Sequence, residues 1–392
     1  MSEWKEYKLG EIADVQTGPF GSQLHQSDYV DVGVPSIMPV NIGDRMNIST
    51  KKIVYITEAD AMRLSRYRVQ KGDIVYSRRG DVEKCAYINE DEAGWLCGTG
   101  CLRIRIDSAH ADSKFIAYYL STEDMKSWIS NNAVGTTMPN LNSSILQQIP
   151  LSLPFLDEQK RIASVLSSLD DKIDLLNREN ATLEAMAETL FRQCFTEEAK
   201  EDWEEVALGN VVKTTSGGTP SRKQPDFYNN GTIYWVKSKE LQGSFISSTE
   251  EMITKDAMNN SSAKLLPEKS VLIAMYGATV GEYGILSKPM TCNQAVCALI
   301  PNENYPYTYL YLWTALMKQE FINLATGAAQ QNISQDLIKQ QMVSSDIERI
   351  KKYHKHVCAF FDKMECNQKQ IKILSKQRDI LLPKLMSNSN II

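Results

Sequence analysis

The sequence predicts a mixed α/β (α+β) fold: two duplicated globular units joined by two long helices that form an intramolecular antiparallel coiled coil, with pseudo-two-fold symmetry. Three observations predict it. The chain repeats itself. Each repeat begins with about 150 residues of short strands, turns and a few helices. Each then runs into one long segment with heptad patterning.

The repeat is direct. Trp4, Leu9 and Gly10 recur as Trp203, Leu208 and Gly209, a shift of 199. Tyr119, Leu120, Thr122, Met125 and Lys126 recur as Tyr311, Leu312, Thr314, Met317 and Lys318. Asn131, Ala133, Gly135 and Asn140 recur as Asn323, Ala325, Gly327 and Asn332, all at a shift of 192. From 119 to 140 that makes 9 matches in 22 positions, against roughly one or two from ordinary composition. The organisation that follows is a first unit at 1–153, a long helix at 154–200, a second unit at 201–345 and a second long helix at 346–392.

Within the units, Asp73–Tyr76 and Val271–Met275 read as strands bounded by turn residues, and 114–130 and 307–324 read as helices. In the first long segment Ile162, Leu169, Leu176, Leu183 and Leu190 fall every seven residues, with Leu166, Ile173, Asn180 and Ala187 on the alternate seam line. In the second, Ile350, Val357, Met364 and Ile371 repeat by seven beside Tyr353, Phe360, Asn367, Leu374 and Leu381. A helix with one apolar stripe needs a partner. Residues 151–200 carry 6 Lys/Arg and 10 Asp/Glu; residues 346–392 carry 10 and 5. Opposite net charge favours pairing the two with each other, the alternative being that each packs only on its own unit. Each rod would be roughly 55 Å long at 1.5 Å per residue.

Composition bounds the function. The 392 residues are 43% hydrophobic and 23% charged, ordinary for a globular chain. No apolar run of membrane-spanning length occurs. The opening Met1-Ser2-Glu3-Trp4-Lys5-Glu6 is no export signal, so we expect a cytoplasmic protein with eight reduced cysteines. Cys97/Cys101 and Cys292/Cys297 have no nearby histidine, which argues for buried strand thiols over zinc. There is no P-loop, no Pro-Pro of an amino-methyltransferase, no His-Glu-x-x-His and no Gly-x-Ser-x-Gly. Gly98-Thr99-Gly100 lacks the third glycine of a dinucleotide fingerprint. Acid-x-Lys pairs such as Glu158-x-Lys160 and Asp170-x-Lys172 fit a solvated helix face better than a nuclease site. The sequence therefore argues against an enzyme, with no metal site and no cofactor in this chain.

Three loop pairs recur and could meet DNA. The first holds Thr17, Gly18, Phe20, Gly21 and Ser22, matched by Ser216, Gly217, Gly218, Thr219, Ser221 and Arg222. Small residues allow close backbone approach, and amides and hydroxyls donate to phosphate or base edges; a plain turn is the alternative. The second holds Arg78 and Arg79, matched by Tyr276, with Lys84 nearby. Arginine reads guanine bidentately and tyrosine stacks or donates; a solvated hairpin tip is the alternative. The third holds Thr136 and Asn140, matched by Gln330 and Asn332. Asn and Gln suit the adenine edge; a helix cap is the alternative. Residues 45–105 hold 12 Lys/Arg against 8 Asp/Glu, a basic patch within an acidic unit.

The junction Ile149-Pro-Leu-Ser-Leu-Pro-Phe-Leu-Asp-Glu-Gln-Lys-Arg-Ile-Ala163, the two Trp-x-x-x-x-Leu-Gly openings, the Gly-Gly-Thr-Pro-Ser loop and the Arg-Arg-Gly-Asp turn resemble the DNA-specificity subunit of Type I restriction–modification systems. The second junction, Ser345-Asp-Ile-Glu-Arg-Ile350, lacks the Pro and Glu-Gln signature. The resemblance implies that each unit is a target recognition domain for one half of a split site on double-stranded DNA, and that the helix pair sets the gap. It implies two modification (methyltransferase) subunits and restriction (helicase–nuclease) subunits as partners. S-adenosylmethionine and ATP would be bound by those partners, not by this chain. No membrane is involved. A rod of roughly 55 Å could hold two readers about one DNA turn apart, given roughly 34–36 Å per turn.

Overall fold

A computed structural model describes residues 4–135, 139–197, 204–325 and 331–387. The chain folds into two compact units, Met1–Lys172 with Leu374–Ile392, and Ile173–Ile373. Each unit takes in part of both long helices. No helix among the described residues is long and apolar enough to cross a membrane.

The first unit is closed by its own ends. Strand Lys5–Lys8 runs antiparallel to Pro150–Leu153, with Tyr7 opposite Leu151. Between them lies an antiparallel sheet in the order Ala13–Thr17, Cys101–Ile106, Ile74–Ser77, Cys85–Tyr87. Its central strand is buried on both faces, as its unbroken apolar run requires. Ile74 and Tyr76 face a core built with Leu9, Ile12 and Phe115. Val75 faces the other way, toward Ile37, Val69 and Ile88. A second sheet follows the order Tyr29–Val30, Val54–Ile56, Val34–Ile37, Leu96–Cys97, the last pair parallel.

The second unit repeats this plan. Glu205–Ala207 pairs antiparallel with Met342–Ser344. The main sheet runs Lys213–Ser216, Val296–Ile300, Val271–Ala274, Tyr283–Leu286, Ser244–Ile246. Val271 and Ile273 face one core with Leu299 and Tyr309, while Leu272 and Ala274 face another with Val236 and Leu286. In both units a short helix precedes the closing strand. Asn142 caps the first by accepting from Ile145 N–H at 2.8 Å, and Ser334 caps the second by accepting from Leu337 N–H at 3.2 Å.

The first strand expected in the sequence lies one residue later, at Ile74–Ser77, because the Asp73 N–H closes the preceding turn by donating to the Gln70 carbonyl at 3.0 Å. The second stops at Ala274. The helix expected at 114–130 is two helices, Ser113–Leu120 and Glu123–Asn132. At the break the Ser121 and Thr122 hydroxyls donate to the carbonyls of Tyr118 and Tyr119, each at 2.8 Å, competing with helix continuation. Its counterpart, with Trp313 in place of Ser121, is continuous over Tyr307–Leu324.

The long helices span Leu156–Arg192 (37 residues) and Ile347–Leu385 (39 residues). Their seam is described unit by unit. In the first unit Ile162 and Leu166 are buried in a core that includes Met386 and Leu381, and Arg378 donates to Asp170 at 3.1 Å. Leu169 and Leu374 are half-buried. In the second unit Ile173, Leu176, Ala187, Val357, Met364 and Asn367 are buried. Asn367 Nδ2 donates to Asn180 Oδ1 at 2.9 Å and to Glu179 at 2.8 Å, and the Tyr353 hydroxyl donates to the Ala187 carbonyl at 3.0 Å. Rising numbers on one helix meet falling numbers on the other, so the pairing is antiparallel. Leu183, Leu190, Phe360 and Ile371 are only half-buried, while Phe191 and Phe361 go deeper. A helix of 3.6 residues per turn drifts off a strict seven-residue repeat. Here it also packs its rings on Tyr307, Tyr309 and Tyr311 of its own unit.

The two helix starts are built differently. Gln159 is buried; its amide donates to the Pro154 carbonyl at 2.8 Å and accepts from Asp112 N–H at 3.0 Å, tying the long helix to the cap of Ser113–Leu120. The second helix uses Asp346, which accepts from Arg349 N–H at 3.0 Å. The residue in the place of Gln159, the fourth of the helix, is the buried Ile350.

Candidate nucleic-acid interface

In each unit, taken by itself, the loops singled out in the sequence converge. In the first unit Thr17 ends its strand opposite Leu102, and Gly18 N–H donates to the Cys101 carbonyl at 2.9 Å. A Cβ on Gly18 would lie 2.1 Å from the Gly98 carbonyl oxygen, so only glycine fits. Phe20, Gly21 and Ser22 then stand exposed on the turn. Arg78 N–H donates to the Gly100 carbonyl at 2.8 Å, and Leu141 N–H donates to the Arg78 carbonyl at 2.9 Å. Arg79 bridges Asn140, and its side chain is exposed. The Arg78 guanidinium lies over the Phe20 ring at 5.5 Å, joining the first and second loops.

The second unit shows the same connections at matching positions. Met275 N–H donates to the Ala295 carbonyl at 2.8 Å, and Ile333 N–H donates to the Met275 carbonyl at 2.9 Å. Tyr276 bridges Asn332, with both side chains exposed. Ser216 ends its strand opposite Cys297, Gly217 N–H donates to the Val296 carbonyl at 3.3 Å, and Gly218 N–H adds a bond to the Cys292 carbonyl at 2.9 Å. A Cβ on Gly217 would lie 2.0 Å from the Cys292 carbonyl oxygen. Thr219, Ser221 and Arg222 stand exposed beyond it. Arg222 stacks on Tyr228 at 4.1 Å and Trp235 at 5.3 Å, and pairs with Glu251 at 2.6 Å. The second loop turns through Gly80 at φ +75° in one unit and Gly277 at φ +69° in the other.

Lys84 is directed elsewhere. It pairs with Asp44 at 2.9 Å and Asp81 at 3.2 Å, and these carboxylates raise its pKa. It lines a cavity of about 480 Å³ that also holds Tyr118, Asp170 and Arg378. Thr136 and Gln330 lie outside the described residues.

Sequence reasoning missed a fourth loop, on which the others pack. It runs between Cys97 and Cys101 in the first unit and between Cys292 and Val296 in the second. Its tip is Thr99 in one and Gln294 in the other. The repeat carried the signal: Cys97 and Cys292 are 195 apart, between the shifts of 199 and 192 on either side. Burial pushes the thiols of Cys97, Cys292 and Cys297 up to about 12. Among the described residues no cluster of His, Cys, Asp or Glu could hold a metal ion.

What this arrangement can do is present backbone amides, hydroxyls, amide side chains, Arg79 and Tyr276 on one loop cluster per unit. These are the groups that read base edges and phosphates.

Comparison with known proteins bears on the family. The family model for the Type I restriction modification DNA specificity domain matches residues 1–185 and 200–344. The chain is 25% identical to the Type I restriction enzyme MjaIX specificity subunit of Methanocaldococcus jannaschii, covering 98% of this chain and 93% of the relative. It is 23% identical to the HindI specificity subunit of Haemophilus influenzae, covering 99% of both. The crystal structure of the S subunit of the Type I restriction–modification system from M. genitalium superposes with a TM-score of 0.66 at 16% identity, covering 99% of this chain and 97% of that one. The duplicated fold and the two family-model matches, which together take in most of the chain, lead to one conclusion: this chain belongs to the Type I restriction–modification DNA specificity family.

Proposed function

We propose that the chain selects the DNA sequence for a Type I restriction–modification complex, each recognition domain reading one half of a split site. The observation that carries this is the twice-built loop cluster. The backbone bridge Arg79–Asn140 and the bridge Tyr276–Asn332 hold different side chains in the same setting. One scaffold with two sets of exposed side chains suits reading two different half-sites. The long helix pair sets the gap between the halves, and its outer faces dock two methyltransferase subunits. Those partners bind S-adenosylmethionine and flip the target adenine into their own pockets. Restriction subunits add ATP-driven translocation and cleavage. The chain itself is not catalytic and works in the cytoplasm.

The test is to co-express the chain with its methyltransferase subunits and map N6-methyladenine across the host genome. The expected result is a motif of two short defined halves around an undefined gap. A continuous motif, or methyl transfer by the purified chain alone, would contradict the proposal.

A further inference from the structure

We infer that Gln294 is a base-reading residue of the second unit, and that adenine is the base it reads. This inference rests on the proposed function above.

Gln294 sits at the tip of the loop on which the other loops of its unit are built. Ala295 accepts from Met275, the residue before Tyr276, and Cys292 accepts from Gly218, the residue before Thr219. Gln294 therefore lies between the Gly-Gly-Thr loop and the Tyr276 turn, and its side chain is exposed. Its amide is also oriented. The Thr219 hydroxyl donates to Gln294 Oε1. That bond uses one of the two lone pairs on Oε1 and leaves the other, together with Nε2, unengaged. Among the described residues nothing accepts from Nε2. A free lone pair beside a free N–H is the pairing that adenine N6 and N7 require in the major groove. Thr219 is then a positioning residue, since it acts by holding the amide.

The first unit supplies the contrast. Thr99 occupies the matching tip, and its hydroxyl lies 3.4 Å from the Tyr29 hydroxyl and 3.8 Å from the Met38 sulfur. It presents no bidentate pair. The same scaffold position thus distinguishes the two readers.

The experiment uses the complete chain with its methyltransferase subunits and selects bound duplexes from a randomised pool. Gln294→Ala should lower the preference for adenine at one position of one half-site by about 5- to 150-fold and leave the other half unchanged. Gln294→Glu, nearly the same in shape, replaces the donor with an acceptor and should move the preference there toward cytosine. Thr219→Val should weaken the same position, and Thr219→Ser should retain it. A wild-type split site that Gln294→Ala and Gln294→Glu leave unchanged overturns this inference alone. So does an equal loss on every sequence, which marks a backbone contact. A wild-type complex that selects no split site overturns the proposed function, and this inference with it.

Discussion

The Arg78 guanidinium lies over the Phe20 ring, 5.5 Å from its centroid, so two loops far apart in the chain share one exposed surface. Such a contact is worth about 0.5–1 kcal/mol at an exposed site. It steadies Arg78 and leaves Arg79, one residue on, directed outward at the turn. Arg79→Ala is expected to relax one base position in one half-site at a cost of about 1–3 kcal/mol. Arg78→Ala is expected to relax a position in the same half and to loosen the Phe20 loop. Sequence selection with the complete complex checks both. An equal loss of affinity on all sequences would make these phosphate contacts instead.

Gln159 tests why the first helix start carries its signature. Gln159→Leu leaves the Asp112 N–H and the Pro154 carbonyl without a partner in a buried place. Each unsatisfied group costs about 1–3 kcal/mol, so the first unit should lose roughly 2–6 kcal/mol. Amide exchange at Asp112 should accelerate and thermal unfolding should begin earlier. An unchanged melting curve would show that the helix start does not depend on this bond.

Thiol chemistry tests the fourth loop. At pH 7.5 iodoacetamide should label the exposed Cys366 readily. It should spare Cys97, Cys101, Cys292 and Cys297, where burial keeps the thiolate scarce. Peptide mapping by mass spectrometry reads the result. Labelling of Cys97 or Cys292 before unfolding would mean that the loop opens in the native state.

Burial raises the Glu184 pKa, although the Tyr311 hydroxyl donates to this carboxylate at 2.7 Å. A raised folded pKa means that the ionised form is penalised only in the folded chain. The penalty is absent below the ordinary carboxylate range and grows as pH rises through the folded pKa. Glu184→Gln keeps an acceptor for Tyr311 and removes the charge. It should raise the melting temperature at pH 7.5, with an advantage that shrinks as pH falls toward 4. A uniform change at all pH values would contradict this.

Much of the fold was legible because it is periodic or repeated. Ile162 and Leu166 in one unit, and Leu176 and Val357 in the other, follow from heptad spacing and are buried. Strand Val271–Ala274 follows from an unbroken apolar run. Other features were not legible because they depend on contacts distant in sequence. Phe361, not Phe360, goes deepest, since Tyr307 and Tyr311 stack on it. Lys84 was grouped in the sequence with the second DNA-facing loop, but Asp44 comes from a separate loop to hold it. Gln294 sat in a stretch with no motif, and the bond it accepts from the Thr219 hydroxyl joins residues 75 apart in the chain.

The ruler is the central claim, and lengthening it is the direct test. One heptad inserted into each long helix at matched points adds about 10 Å, on the order of three base pairs of DNA. Methylation mapping should then show a wider gap with both half-sites unchanged. A gap of the original length, or altered half-site sequences, would contradict the account.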